Sequence, residues 1–150
     1  MPQSLSRILV HIIFSTKQRL PLLKDDIHLE LRRYMATVLK EHESPAIEIG
    51  GVADHVHILC VLSKNYPVCK IVEEAKKSTS KWLKTRGDWL AQFQWQNGYG
   101  AFSVSQSHEA EVQRYIQDQK EHHRKMSFQD EFRRFLDKYR VAYDERYVWD

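Results

Sequence analysis

The sequence predicts an α+β domain built on one antiparallel sheet with helices packed against it. Short runs rich in β-branched residues alternate with longer segments whose apolar residues recur at helical spacing. Their order along the chain is β-α-β-β-α-β, followed by more helix. Between the second and third strands there is room only for a tight turn, so these two form a hairpin.

The first strand spans Arg7 to Thr16 and runs into a basic polar loop, Ser15-Thr16-Lys17-Gln18-Arg19. Asp25 and Asp26 open a helix that reaches about Glu43, with Ile27, Leu31, Tyr34, Met35, Val38 and Leu39 as its apolar stripe. Ser44-Pro45 ends it, because a residue before proline is disfavoured in the helical region. Ala46 to Val52 is the second strand, and Gly50-Gly51 suggests a bulge or tight bend near its end. The third is Asp54-His55-Val56-His57-Ile58-Leu59-Cys60-Val61-Leu62, largely apolar on both faces and so expected at the centre of the sheet.

Pro67 suits a first helical turn, and the helix that follows to about Thr85 buries Ile71, Val72, Ala75, Trp82 and Leu83. Lys70, Lys77, Lys81 and Lys84 project from its other face. Residues 86–100 read as loop, and Ala101 to Ser105 as a strand. Ser107 is placed to cap a helix from His108 to about Arg124. A last helix starts at a Ser-x-x-Asp cap on Ser127 and carries Phe128, Phe132, Phe135, Leu136 and Tyr139 on one stripe. The pattern is ferredoxin-like, with residues 1–125 as the main domain and 126–150 as a helical extension packed on it. Nothing in the residues of that extension suggests a catalytic role.

With 150 residues, 42% of them hydrophobic and 29% charged, the chain has the composition of an ordinary globular domain able to bury a core. A net charge of +3 is compatible with nucleic acid but does not by itself indicate it. Cys60 and Cys69 form no CxxC pair and no zinc framework. The apolar run from Ile8 to Phe14 is too short to span a bilayer, and no membrane or small-molecule partner is expected. The start of the chain lacks a signal-peptide pattern, so a reduced, cytoplasmic setting is the expectation.

Two places carry chemistry-bearing residues in the wrong company. His55 and His57 alternate along a strand and therefore share one face. They are either two satisfied core histidines or part of a divalent metal site that two imidazoles alone would leave incomplete. On the later helix, Val112, Tyr115, Ile116 and Gln119 occupy the spacing of a buried stripe, where Gln119 is the polar exception and shares a face with Tyr115. That pair is either a core tyrosine satisfied by a glutamine or a reactive phenol beside a ligand. His122 and His123 follow Gln119 by three and four residues, so either could approach the same helix face, but in a charged helix end they are expected at the surface. His11, on the neighbouring first strand, and Asp54, just before the motif, are candidates to orient a ligating imidazole.

Taken together, Asp-His-Val-His-Ile-Leu on a strand, then Gly98-Tyr99-Gly100-Ala101-Phe102-Ser103-Val104-Ser105, then Tyr115-Ile116-x-x-Gln119 on a helix, are more specific than any one of them. In that order they resemble the single-tyrosine HUH transposases of small insertion sequences, from Val10-His11-Ile12-Ile13-Phe14 through the closing Tyr147-Val148-Trp149-Asp150. The resemblance is to the branch with an extension after the tyrosine helix. It implies cleavage and rejoining of single-stranded DNA, with Tyr115 as nucleophile forming a 5′-phosphotyrosine link. It implies Mg2+ or Mn2+ held by His55, His57 and Gln119, hairpins at element ends as substrate, and a homodimer whose sites are assembled in cis or in trans. Lys17, Arg19, Lys70, Lys77, Lys81 and Lys84 are then candidate phosphate contacts, and Tyr99, Phe102 and Trp95 candidate base-stacking residues. The same chemistry would serve a domesticated relative acting on dispersed palindromic repeats. A replication-initiation or relaxase nuclease with the same histidine motif is disfavoured by the small size. A non-catalytic nucleic-acid-binding module of the same sheet topology is the alternative from a different class.

Overall fold

A computed structural model describes residues 2–150. Strands β1 (Leu9–Ser15), β2 (Ala46–Val52), β3 (His55–Val61) and β4 (Gly100–Val104) form one sheet in the order β2-β3-β1-β4. Every neighbouring pair is antiparallel, as the ferredoxin-like pattern requires. The two central strands are the two most apolar ones, β1 and β3, and all of their residues but Val61 are buried.

The alternation of the strands sorts the core into two layers. Val10, Ile12, Phe14, Val56, Ile58 and Cys60 face helices α1 (Asp25–Glu41) and α2 (Val68–Leu83), meeting Leu31, Met35, Ile71 and Ala75. His11, Ile13, His55, His57 and Leu59 face the other way. That second face is covered by α3 (Glu109–Gln117), the single turn α4 (Gln119–His122) and α5 (Phe128–Lys138). Ile13 and Phe102 pack on Phe128, Phe132 and Leu136 of α5, while Leu9 and Leu59 pack on Ile116 of α3.

Three expectations change. The helix expected from His108 to Arg124 is broken at Asp118 (φ −93°, ψ 17°), which separates the tyrosine helix from the turn bearing Gln119. Its start is a short 3-10 turn, Gln106–His108, in which Ser105 and Ser107 bond the His108 ring instead of capping the helix. The register shift of β2 falls between Ala46 and Glu48 instead of at the glycines. Gly50 serves a different purpose, since a Cβ there would stand 2.5 Å from the Ile116 carbonyl oxygen; its absence lets α3 lie directly on the sheet. The cap on the last helix is as expected: Ser127 accepts from the Asp130 N–H at 3.1 Å.

Candidate metal centre and tyrosine site

His55 and His57 are fully buried on the second face of β3. The hairpin turn places Asp54 beside His55, whose Nδ1 lies 2.7 Å from Asp54 Oδ1. His11, diagonal to His57 across β1, places its Nε2 2.8 Å from His57 Nδ1. Each imidazole of the pair therefore has its Nδ1 engaged and its Nε2 aimed into the space between sheet and helices. Asp54 and His11 sit where residues that orient ligands sit.

Three side chains converge on those Nε2 atoms. Gln119 Oε1 lies 3.0 Å from His55 Nε2, and its amide N–H donates to Glu131 Oε2 at 3.2 Å, which fixes the way the carboxamide points. Glu131, from α5, places Oε1 2.9 Å from His57 Nε2 and 3.5 Å from His55 Nε2. His123 brings its Nε2 to 3.0 Å from Gln119 Oε1 and 3.1 Å from Glu131 Oε1, with its Nδ1 at the Met126 carbonyl. His55, His57, His123 and Glu131 form a cluster whose ligand atoms all lie within 4.8 Å of one another.

Proton counting shows what this cluster lacks. His55 has an oxygen acceptor at each ring nitrogen, Asp54 on one side and Gln119 on the other. His123 likewise has the Met126 carbonyl on one side and Glu131 with Gln119 on the other. A neutral imidazole carries one N–H, so the neutral form of either ring leaves one lone pair facing oxygen lone pairs. In His123, burial is outweighed by Glu131 and the Met126 carbonyl, which raise it above its usual value, toward the form that donates from both nitrogens. A cation at the convergence point turns these repulsions into bonds. Donors held about 2.1 Å from one ion stand about 3.0–3.4 Å apart; neighbouring donors here are 2.9–3.5 Å apart within a cluster that spans up to 4.8 Å. Burial pushes His57 down to about 4, against the partial opposition of Glu131, so at neutral pH it is in the form that binds a metal. Burial alone would raise the Glu131 carboxyl, but His57 and His123 outweigh it and hold the group well below the usual carboxylate range.

Tyr115 reaches the same centre. Its hydroxyl donates to Glu131 Oε2 and lies 3.1 Å from His122 Nε2. Its ring centroid is 5.8 Å from that of His57 in an edge-on arrangement. Burial and the neighbouring Glu131 carboxylate push the phenol above its usual value. The half-buried hydroxyl borders a cleft of about 560 Å³ that is also lined by His11, Ser105, His108, Arg134 and Lys138. All of these groups belong to one chain.

Two histidines and a glutamate depart from the sequence reading. His123, expected at the surface, has a side chain only 9% exposed and belongs to the cluster, and His122 bonds Tyr115. After the break at Asp118, the turn α4 that leads into His123 packs against β2. Glu131, in the extension for which no role was expected, is 1% exposed at the middle of the site. A signal for it exists in the pattern: Glu131 falls on the stripe of Phe128, Phe132 and Phe135 just as Gln119 falls on that of Tyr115 and Ile116.

The model of the family described as "Transposase IS200 like" matches residues 4–119. The chain belongs to the IS200-like transposase family. Among curated protein sequences none matches it. Solved structures share its fold, among them the following two. A candidate transposase of Deinococcus radiodurans R1 is 20% identical, with a TM-score of 0.64 over 79% of this chain and 98% of that one. A REP-associated tyrosine transposase bound to a REP hairpin is 13% identical, with a TM-score of 0.60 over 82% of this chain and 74% of that one. The family match ends at Gln119, so His122, His123 and Glu131 lie beyond it.

The basic residues of the transposase are dispersed. Lys70, Lys77, Lys81 and Lys84 ride on α2, across the sheet from the histidines. Lys70 is also paired with Glu74 at 3.1 Å. Lys17, Lys77 and the 38%-exposed Tyr99 line one groove of about 510 Å³ between α2 and the loop before β4. Arg19 lies over the Trp149 ring, 5.6 Å from its centroid. Trp95 and Phe102 are buried core residues, Trp95 edge-on to Phe14 and Phe93 and Phe102 stacked on Phe135 and Tyr139, so neither presents a face for a base. Among the described residues no helix is long and apolar enough to cross a membrane.

Proposed function

We propose that this transposase cleaves and rejoins single-stranded DNA through a covalent bond between Tyr115 and a 5′ phosphate. The observation that carries the reading is that the Tyr115 hydroxyl and the His57 ring bond opposite oxygens of one buried carboxylate, Glu131. His55, His57 and Gln119 hold a divalent ion, Mg2+ or Mn2+, and Asp54 and His11 orient the two imidazoles. When bound, such an ion offsets charge on the scissile phosphate and on the attacking oxygen. That offset matters here because the Tyr115 phenol is held above its ordinary value.

In the reaction, the Tyr115 oxygen bonds to phosphorus as the bond to the 3′ oxygen breaks. The phenol proton passes to His122, whose Nε2 lies 3.1 Å from the hydroxyl and which burial holds below its usual value, and the departing 3′ oxygen takes up a proton to become a hydroxyl. Another 3′-hydroxyl can reverse the attack and rejoin strands, since the phosphoester bond energy is conserved. The cleft beside Tyr115 admits the strand, and Lys17, Arg19, Lys77 and Tyr99 follow it with phosphate contacts and stacking, Lys81, Lys84 and the partly neutralised Lys70 contributing longer-range attraction. Residues 126–150 act as part of the same catalytic unit. Because nucleophile and ligands meet within one chain, each copy of a homodimer carries a working centre.

The substrate is a hairpin at the end of an insertion element. The likeness to a structure holding a REP hairpin favours a second reading, in which the hairpins are dispersed palindromic repeats. To test the reading, the protein is incubated with Mn2+ and single-stranded hairpins from the flanks of its own gene or from dispersed palindromes. A denaturant-resistant adduct is expected, and its absence with every hairpin favours the non-catalytic binding module. Which hairpin reacts separates the two substrate readings.

A further inference from the structure

We infer that Glu131 and His123, from the segment beyond the family match, are direct ligands of the ion proposed above, together with His55 and His57. The inference rests on that reading for the presence of an ion, and extends it by making the C-terminal segment part of the metal centre.

Each of the two residues has its geometry fixed for this. His123 is anchored at its far nitrogen by the Met126 carbonyl at 2.7 Å, which turns Nε2 inward. Glu131 is set at its depth by Phe128 and Phe132, which pack against Ile13 and Phe102. A Cβ at Gly100 would stand 2.5 Å from Phe132, so the bare glycine lets α5 come close enough for Glu131 to reach the histidines. A carboxylate buried to 1% exposure among apolar side chains is costly unless a positive charge answers it. The groups within reach of its two oxygens are imidazoles, a carboxamide and a phenol, none of which carries a permanent charge. Its Oε1 is 2.9, 3.1 and 3.5 Å from the Nε2 atoms of His57, His123 and His55, the separations of neighbouring ligands on one ion. Its other oxygen stays with Tyr115 and Gln119, so the same carboxylate ties the ion to the nucleophile.

The full-length protein, freed of metal, is titrated with Mn2+ by calorimetry, and the bound ion is examined by pulsed electron paramagnetic resonance. Three coordinated imidazole nitrogens are expected in the unsubstituted protein and two in His123→Gln. Glu131→Gln is expected to weaken Mn2+ binding by about a hundredfold, at or beyond what loss of an outer partner costs. Thermal unfolding without metal checks that each variant folds; should Glu131→Gln not fold, the nitrogen count in His123→Gln decides. Two nitrogens in the unsubstituted protein, no Mn2+ binding at all, or Glu131→Gln binding within about threefold of it overturns the inference. If His57→Ala abolishes binding while His123→Gln and Glu131→Gln do not, the ion of the proposed function stands without these ligands. If the variants behave as expected but no Tyr115 adduct forms on DNA, the metal centre stands and the proposed reaction fails.

Discussion

The hydroxyl of Tyr115 donates to Glu131, whose other oxygen lies 2.9 Å from His57. One buried carboxylate thus joins the candidate nucleophile on α3 to the histidine strand. Substituting Tyr115 with Phe removes its hydrogen bonds to Glu131 and His122 and leaves Glu131 the bond from Gln119. Stability should fall by about 1 kcal/mol, and Mn2+ affinity should change little while DNA adducts disappear. Parallel thermal melts and calorimetric titrations check the first two.

Asp54 holds His55 by its Nδ1 at 2.7 Å, keeping the other nitrogen free to face the cluster. Asp54→Asn should leave the fold intact and weaken Mn2+ binding by about 10–100-fold. An unchanged binding isotherm would contradict the orienting role given to Asp54.

His28 predicts a pH dependence that arises outside the metal centre. It is buried in α1, accepts from the Arg32 guanidinium at 2.9 Å and faces the His55 carbonyl at 3.3 Å. Burial, and then Arg32, push its imidazole down from 6.5 to about 4. Protons therefore favour the unfolded chain: the stability contribution is complete above about pH 6.5 and is lost as the pH falls toward 4, by up to about 3 kcal/mol. Denaturant titrations of the metal-free protein at pH 7 and pH 4.5 should show a smaller difference in His28→Gln than in the unsubstituted chain.

Gly50 is predicted to be a sensitive backbone position. A methyl group there meets the Ile116 carbonyl oxygen at 2.5 Å and its Cγ2 at 2.8 Å, so Gly50→Ala must lift α3 from β2. A loss of about 1–3 kcal/mol is expected in denaturant unfolding. Mn2+ affinity should fall with it, because Gln119 follows α3.

These positions show how far the residues alone carry the description. The sheet and its helices were legible because the apolar periodicity is strong: β1, β3, α1 and α2 appear within a few residues of where the pattern places them. His55, His57, Tyr115 and Gln119 stand out as polar members of apolar stripes on two elements, but that they meet in one site is what the family resemblance implies, and the structure brings them together. His123 and Glu131 were not found, for two reasons. His122 and His123 follow Gln119 at i+3 and i+4 and so share its face, but the Lys/Glu/Arg-rich helix end around them points to solvent. Glu131 sits in a charged stretch, Gln129-Asp130-Glu131, where its buried phase shows only against the flanking phenylalanines. The α2 lysines illustrate the opposite limit. Their stripe is real, but which side of the sheet it rides on is decided by packing with Val10, Ile12 and Phe14.

For DNA, the groove lined by Lys17, Lys77 and Tyr99 is the place to look for phosphate contacts on that side of the sheet. Lys17→Ala and Lys77→Ala should each weaken single-strand binding and lower the salt slope by about 0.7, the loss of one neutralised phosphate. Lys70→Ala, already paired with Glu74, should change the slope less.

The central claim is that Tyr115 forms the covalent bond to DNA. Proteolysis of the adduct formed with a single-stranded hairpin and Mn2+, followed by mass spectrometry of the peptides, measures this directly. The account predicts a nucleotide attached to Tyr115 through its phenolic oxygen and no adduct from Tyr115→Phe. A nucleotide on any other residue, or an adduct that persists in Tyr115→Phe, would contradict it.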